Sequence, residues 1–326
     1  MEKCYQIAIA GYGNLGRGAE AAIAASADMQ LAAVFSRRSD LQLATPGVPV
    51  VSPQQIGEWE GKLDAVLLCG GSATDLPMQG PQFAAHFNTV DSFDTHAKIP
   101  EYFAEMDQIA RQSGHCALIS IGWDPGLFSV QRLLGDAVLP AGETYTFWGE
   151  GVSQGHSDAI RRIEGVADAK QYTVPCAAAL DAVRAGKNPQ LQTREKHTRV
   201  CYVVAKDGAD TAAIETAIQT MPNYFADYDT TVHFISQETL NTEHSGMRHG
   251  GFVLRSGATA QGDAHVLEYS LKLGSNPAFT ASVLVAYTRA CIRMAQKGQT
   301  GAATAFDVPP ALLSPKSGEE LRRTLL

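Results

Sequence analysis

Short apolar runs alternate with amphipathic stretches over the first 122 residues, and a glycine-rich turn follows the first of those runs. Beyond about Trp123 the pattern changes to strand after strand. Together these features predict an α/β protein: a Rossmann-type doubly wound parallel sheet, followed by a second α+β domain that binds substrate and dimerises. Strand, helix, strand in succession requires a parallel sheet with right-handed crossovers.

The first strand is "YQIAIAG". It runs into "GYGNLG", Gly11 to Gly16, which opens the helical stretch "LGRGAEAAIAAS". In that setting Gly11 permits the tight turn, Gly13 lets a pyrophosphate approach the backbone, and Gly16 lets the helix pack on the strand. The alternative is a glycine-rich turn without a ligand. The second strand, "LAAVFS", ends in "VFSRRSD". Ser36 stands twenty positions after Gly16, where NAD enzymes place an acid for the ribose hydroxyls. An acid would repel a 2'-phosphate, whereas Ser36 can donate to it and Arg37 and Arg38 can pair with it. The expectation is NADP rather than NAD; two solvated loop arginines are the alternative. "DAVLLCG", "NTVDSF" and "CALISIG" continue the sheet. "IPEYFAEMDQIARQSG" reads as a helix with proline in its first turn and Gly114 at its end. Ligands in such sheets bind beyond the carboxyl ends of the strands. That rule singles out "CGGSATDLP", "DSFDTHAKIP" and "SIGWDPGLFS".

In the second half, "TYTFWGEG", "AKQYTVPC", "TRVCYVVA", "TTVHFIS", "GGFVLRSG" and "HVLEYSLKLG" read as strands of one antiparallel or mixed sheet with helices on one face. "DTAAIETAIQTM" and "SDAIRRIEGV" read as helices, the latter with Ser157 or Asp158 as its cap. "NPAFTASVLVAYTRACIRMAQKG" makes a long buried helix from near Pro277 to Gly298. The tail "FDVPPALLSP" is expected to return to the nucleotide domain. The domains are therefore 1–122, completed by about 277–326, and 123–276.

Composition bounds the rest. The 326 residues are 45% hydrophobic and 18% charged, with a net charge of -8. That charge argues against a nucleic-acid or anionic-membrane surface, since both need a basic footprint. Six cysteines are scattered without a CxxC pair, and several lie in apolar runs, which suits a reducing compartment. No stretch has the ~18 apolar residues of a membrane span, and the first apolar run is too short for a signal peptide. The chain reads as a cytoplasmic protein without repeats or low-complexity segments.

Asp91 and Asp94 lie in the loop after the fourth strand, and Asp124 lies in the loop after the fifth. Carboxylates there can bind an ammonium or take its proton before hydride loss; the alternative is a loop cap or Asx turn. Two loops agree on Asp94 and Asp124, so these are preferred over Asp91. His156, Ser157 and Asp158 in "SQGHSD" are adjacent and cannot form a hydrolase triad, and there is no GxSxG elbow. His244 and His249 lack a third ligand at a recognisable spacing, so no metal is expected. His249 suits a polar pocket lining. Trp123 and Trp148 suit either a pocket wall or the core.

Long segments resemble the meso-diaminopimelate dehydrogenase family: "GYGNLGR", "FSRRSD", "LCGGSATD", "ISIGWDPGLFS", "TFWGEGVSQGHSDAIRRI", "MRHGG" and "NPAFTAS". The resemblance implies an NADP-dependent, reversible oxidative deamination of the D-centre of meso-2,6-diaminopimelate to L-2-amino-6-oxopimelate and ammonia, whose reverse feeds lysine and peptidoglycan precursors, in a homodimer. It implies nucleotide contacts from Gly11, Gly13, Asn14, Leu15 and Gly16, from Ser36, Arg37 and Arg38, and from Cys69, Gly71, Ser72, Ala73 and Thr74. Asp94 and Asp124 would hold the reacting D-amine. Trp123, Trp148, Gln154 and Gly155 would line the site, with Thr173, Arg199, His249 and Asn276 gripping the L-configured end. Arg248 and the glycine of "CGG" depart from the family pattern beside site loops. A substrate with two carboxylates and two ammoniums needs paired acids and an arginine, which these candidates supply. No lysine lies in the three strand-end loops that carry the chemistry apart from the one closing "DSFDTHAKIP", so an aspartate or water must manage the protons. Two rivals stay open: an NADP oxidoreductase acting on a sugar or aldehyde, although the Glu-Lys-Pro motif usual in sugar oxidoreductases is missing, and a non-catalytic NADP-binding sensor.

Overall fold

The structure, a computed structural model, describes residues 4–259 and 262–326. The chain forms two compact units, one built from the residues up to Val130 with Pro277–Leu326, the other from Gln131–Asn276. The division falls within a helix, later in the chain than the change of sequence pattern at Trp123. In chain order the elements begin with β1 (Tyr5–Ala10), α1 (Asn14–Ala24), β2 (Met29–Phe35), β3 (Val50–Val51), β4 (Ala65–Leu68), α2 (Leu76–Ala84), β5 (Thr89–Asp91), α3 (Ile99–Ser113), β6 (Cys116–Leu118) and α4 (Leu127–Val138). There follow β7 (Ala141–Trp148), β8 (Gly151–Val152), α5 (Gln154–Arg161), β9 (Val166–Pro175), α6 (Ala177–Arg184), α7 (Thr193–Lys196), β10 (His197–Ala205), α8 (Thr211–Gln219), β11 (Asp229–Phe234), α9 (Gln237–Glu243), β12 (His249–Ala258) and β13 (Ala264–Leu273). The chain closes with α10 (Asn276–Gln296), β14 (Gly301–Ala303) and α11 (Gly318–Leu325).

In the first unit seven strands form one sheet in the order β14-β6-β5-β4-β1-β2-β3, and every pair is parallel. Successive strands run outward from β1 on one side and from β4 on the other, so the order reverses between β1 and β4. A ligand crevice opens beyond the carboxyl ends at such a point. The β1 run is apolar throughout because both faces are covered. Ile7 and Ile9 pack in the core that includes Ala281, Leu284 and Cys291 of α10. Ala8 and Ala10 pack on the other side with Phe83 of α2 and Met106 of α3. Gly18 lets α10 lie close on α1, since a Cβ there would stand 3.0 Å from the Ala281 Cβ. As the sequence indicates, α3 has its proline in the first turn and ends on Gly114 at φ 74°. Sequence reading did not anticipate α2, whose nine residues include a proline in the first turn and Pro81 in the interior.

The second unit holds two sheets where one was expected. One is four-stranded, β11-β10-β9-β8, and the other three-stranded, β13-β12-β7. The three-stranded sheet is antiparallel. In the four-stranded sheet β10 and β11 are parallel and the other pairs antiparallel. The split occurs within "TFWGEG": Trp148 ends a strand of one sheet, and Gly151 starts a strand of the other. Gly149 makes the switch at φ 113°, where a Cβ would stand 2.1 Å from the Thr173 carbonyl oxygen. One apolar face of the four-stranded sheet joins Ile160 of α5 and Ile214 and Ile218 of α8 in a core with Cys201 and Val203. The cap of α5 is Ser153, whose side chain accepts from His156 N; Ser157 and Asp158, expected as caps, lie inside the helix.

Candidate active site

A cleft of about 550 Å³ opens at the switch point of the first unit. Gly11, Tyr12 and Gly13 line it from β1, Phe35 to Arg38 from β2, and Cys69, Gly70, Gly71, Thr74 and Asp75 from β4. Hydrogen bonds knit these strand ends together: Gly11 N donates to Phe35 O at 3.0 Å and Cys69 N to Ala10 O at 2.8 Å. The three glycines of the turn divide the work. A Cβ on Gly16 would stand 2.2 Å from the Gly11 carbonyl oxygen, and one on Gly11 would crowd Cys69 and Gly70 at 3.2 Å. A Cβ on Gly13 would meet nothing within 4 Å. Gly13 is also the N-cap of α1 and supplies no capping side chain, so no side chain of the turn's middle glycine stands between the helix N-terminus and a pyrophosphate.

At the β2 end, Ser36 Oγ accepts from Arg38 N at 3.0 Å. Arg38 donates to the Tyr12 carbonyl at 2.9 Å, and Arg37 pairs with Asp75 at 3.2 Å while its side chain stays 82% exposed. Two guanidiniums thus stand anchored at the mouth of the cleft, a donor arrangement that fits a 2'-phosphate. Asp75 and Gln79 are cleft residues the sequence reading missed. Asp75 also accepts from Gly71 N at 2.9 Å, and Gln79 Oε1 is buried without a partner. Cys69 is buried, and burial pushes its thiol up to about 12, so it is a neutral wall. Asn14 accepts from Arg17 at 3.0 Å, Leu15 packs against the core, and Ala73 is exposed.

Ser72 ties the loop after β4 to the loop after β5: its Oγ accepts from Asp94 N at 2.9 Å and Thr95 N at 3.2 Å. Asp94 is exposed on the loop after β5, and Asp124 is half-buried on the loop after β6. These two strands are neighbours, with Val90 opposite Leu118, so the loops leave the sheet side by side. Asp91 is fully buried beneath them. Trp123 is 8% exposed and packs edge-on against Phe128 at 5.2 Å. Gly126, at φ 123°, makes the turn; a Cβ there would stand 2.0 Å from Gly122 O.

In the second unit Thr173 and Arg199 sit opposite each other on β9 and β10. The Arg199 guanidinium hydrogen-bonds the Thr173 hydroxyl and lies 3.9 Å from the centre of the Tyr228 ring. It is 7% exposed, its Nε has no hydrogen-bond partner, and no acidic side chain pairs with it among the described residues. Burial lowers its pKa. Burial also holds His156 at about 4, with Arg199 adding to the effect. A buried cation lacking an anion is costly; a ligand carboxylate would complete it.

Trp148 is 38% exposed. Its backbone N–H donates to His197 Nε2 at 2.8 Å, and its ring stacks on His197 at 5.3 Å. His197, which the sequence reading missed, is 3% exposed, and burial first, then Arg199 and Lys196, lower it to about 4; it stays a neutral acceptor. Gln154 donates to Met247 Sδ at 3.3 Å, and Gly155 has open space beside it. The Asn276 N–H donates to Met247 O at 2.9 Å. His249 accepts at Nδ1 from Gly250 N at 2.8 Å, and burial lowers its pKa. It approaches closely over Gly151, where a Cβ would stand 2.5 Å from its Cγ. His249 lines a second cleft of about 560 Å³ with Arg248, Glu150 and Lys272.

Ser157, buried, donates to Ser153 O at 2.6 Å and accepts from Gln171 N at 2.9 Å, so it ties α5 to β9. His244 stacks on Tyr202 at 3.9 Å and bonds the Tyr172 hydroxyl. Among the described residues, no group of three His, Cys, Asp or Glu could hold a metal ion.

The sequence matches the model for the diaminopimelic acid dehydrogenase C-terminal domain over residues 122–275. It is 60% identical over 322 residues to the meso-diaminopimelate D-dehydrogenase of Ureibacillus thermosphaericus, covering 98% of this chain and 99% of that one. The structure resembles the Corynebacterium glutamicum DAP dehydrogenase in complex with DAP, with a TM-score of 0.92, 46% identity and all of both chains covered. It also resembles an engineered D-amino acid dehydrogenase bound to NADP+, with a TM-score of 0.86, 45% identity and 99% of each chain covered.

Proposed function

The chain belongs to the meso-diaminopimelate D-dehydrogenase family, and from that premise we infer that it catalyses the NADP-dependent oxidative deamination of the D-centre of meso-2,6-diaminopimelate. The product is L-2-amino-6-oxopimelate with release of ammonia, and the reaction runs in both directions. The observation that carries this reading is Arg199, a buried guanidinium whose described partners are the side chains of Thr173 and Tyr228, neither of them an acid. An amino acid with a second carboxylate supplies the anion it lacks.

Bound NADP supplies the hydride acceptor. Gly13 and the N-terminus of α1 receive the pyrophosphate, and Ser36, Arg37 and Arg38 receive the 2'-phosphate. Cys69, Gly71, Ser72, Ala73 and Thr74 complete the nucleotide loop. Asp94 and Asp124 bind the D-ammonium and take its proton, which leaves a neutral amine able to expel hydride from its carbon. Water then adds to the substrate iminium, and the carboxylates return a proton to the departing ammonia. Arg199 holds the distal carboxylate in a fork, with Thr173, His249 and Asn276 around the L-configured end. Trp123, Trp148, Gln154 and Gly155 limit the space for the chain between the two ends. With identical groups at both ends of the substrate, fixing the far end determines which centre meets the cofactor.

No described helix is long and apolar enough to cross a membrane. A cytoplasmic homodimer working in lysine and diaminopimelate metabolism is the setting we propose. NADP reduction by the purified protein, with meso-, LL- and DD-diaminopimelate in parallel, tests the reading. Turnover of the meso isomer alone, or far faster than the others, is expected. Reduction with none of the three would overturn it.

A further inference from the structure

We propose that Asp91 is a positioning residue that locks together the two loops bearing Asp94 and Asp124. The proposal rests on the reading that those two acids handle the reacting amine. Asp91 ends β5 and is 0% exposed, so it cannot touch a substrate. One of its carboxylate oxygens accepts two backbone N–H groups, Phe93 at 2.9 Å and Ser120 at 3.0 Å. Phe93 immediately precedes Asp94, and Ser120 opens the loop that leads to Asp124. The Asp91 carbonyl accepts from Ile121 N at 2.8 Å. A single residue therefore ties both loops at their roots.

The tie is under load. Ser120 has φ 56°, the left-handed region that a residue with a Cβ enters only when its surroundings impose it. Its own hydroxyl is buried without a hydrogen-bond partner, so the bond to Asp91 is what the side-chain environment offers to hold that backbone. The other Asp91 oxygen accepts from the Tyr102 hydroxyl at 2.8 Å. Tyr102 stacks on Phe93 with ring centres 4.2 Å apart, and it reaches Asp91 across Gly80, where a Cβ would stand 2.2 Å from the hydroxyl. Burial raises the Asp91 carboxyl to about 6 against the pull of its three donors. A group serving only the core would cost less if apolar. Asp91 instead supplies acceptors at the one place where two functional loops converge.

The role requires an acceptor oxygen, not a charge. The experiment compares wild type, Asp91→Asn, Asp91→Ala and Asp91→Ala/Ser120→Gly as full-length proteins. It records kcat and KM for meso-diaminopimelate, the Kd for NADP by titration, and thermal unfolding. Asp91→Asn keeps the shared acceptor and is expected within about fivefold of wild-type kcat. Asp91→Ala is expected to lose at least thirtyfold in kcat with NADP Kd unchanged. The added Ser120→Gly change admits the left-handed backbone without strain, so the double variant should recover part of that loss. If Asp91→Ala does not accumulate as folded protein, Asp91→Ser replaces it, with at least a tenfold loss expected. Equal losses in the Asn and Ala variants would overturn the proposal, as would wild-type kcat in folded Asp91→Ala or Asp91→Ser. A wild-type protein inactive on meso-diaminopimelate would instead overturn the functional reading, so the two failures are distinguishable.

Discussion

Arg199→Met separates substrate recognition from fold stability, because the structure predicts opposite signs for the two. Methionine keeps an unbranched side chain in a site that is 7% exposed, so the packing volume is nearly conserved while the charge is removed. The bound distal carboxylate then faces an uncharged wall. Losing one partner of a buried, hydrogen-bonded charge pair removes about 2–4 kcal/mol. At 1.4 kcal/mol per decade this is roughly a 30- to 700-fold fall in kcat/KM for meso-diaminopimelate. The ligand-free protein gains from the same change, since a guanidinium without an acidic partner no longer has to be desolvated. It loses the bond to Thr173 and the contact with Tyr228, worth about 1 kcal/mol each. The net expectation is a melting temperature no lower than wild type. D-alanine has no distal carboxylate, so its kcat/KM should change little. Initial rates on both substrates and a thermal melt of the free protein decide the matter. Equal proportional losses on the two substrates would refute the assignment of Arg199 to the distal end, and a melting temperature several degrees lower would refute the account of an uncompensated buried cation.

Other consequences are direct. In Arg37→Ala/Arg38→Ala the preference for NADP over NAD, read from the ratio of KM values, should largely collapse, since each charge-assisted contact contributes about 1.5–3 kcal/mol; an unchanged ratio would remove both arginines from the 2'-phosphate. Asp94→Ala and Asp124→Ala should each lower kcat/KM for meso-diaminopimelate by at least about tenfold, some 1.4 kcal/mol of transition-state stabilisation, while NADP titration stays as in wild type. His197, held to about 4 by burial, is neutral in the fold but titrates near 6.5 when unfolded. The unfolded chain therefore binds the extra proton between these values, and stability contributed above pH ~6.5 is lost as pH falls toward 4. Urea unfolding at pH 7 and pH 5 should show His197→Gln losing about 2 kcal/mol less than wild type over that interval; identical slopes would place the titration elsewhere.

How far the sequence led depends on the range over which each feature is determined. The β1–α1 turn is decided within a few residues by glycine sterics, and "GYGNLG" states it outright. The strand-end rule then locates the loops of Asp94 and Asp124 without any knowledge of packing. Local pattern failed where a chain event had no local signature. The apolar run "TFWGEG" gives no sign that Gly149 carries it from one sheet to another, because the cause is the Thr173 carbonyl, distant in sequence. The two prolines of α2 disguise a helix, although Pro77 sits in its permitted first turn. In α5 a run of possible capping residues hid Ser153 behind Ser157.

The supporting residues of the site were invisible for a related reason. Arg199 was recognisable as a candidate, but Tyr228, which covers its guanidinium, stands in the turn before β11, and His197 under Trp148 stands on a different strand from it. Asp75 beside Arg37 belongs to a different crossover. Asp91 is the sharpest case. In sequence it is one of two acids in the same short loop, and Asp94 is favoured because it pairs with Asp124 from a second loop. Only burial separates their work: Asp94 is exposed where an ammonium could meet it, whereas Asp91 faces two backbone N–H groups and a phenol in the interior. A carboxylate three residues from another can thus be committed wholly to backbone geometry. The type of residue names what chemistry is possible, and its surroundings decide whether that chemistry serves the ligand or holds another residue in place.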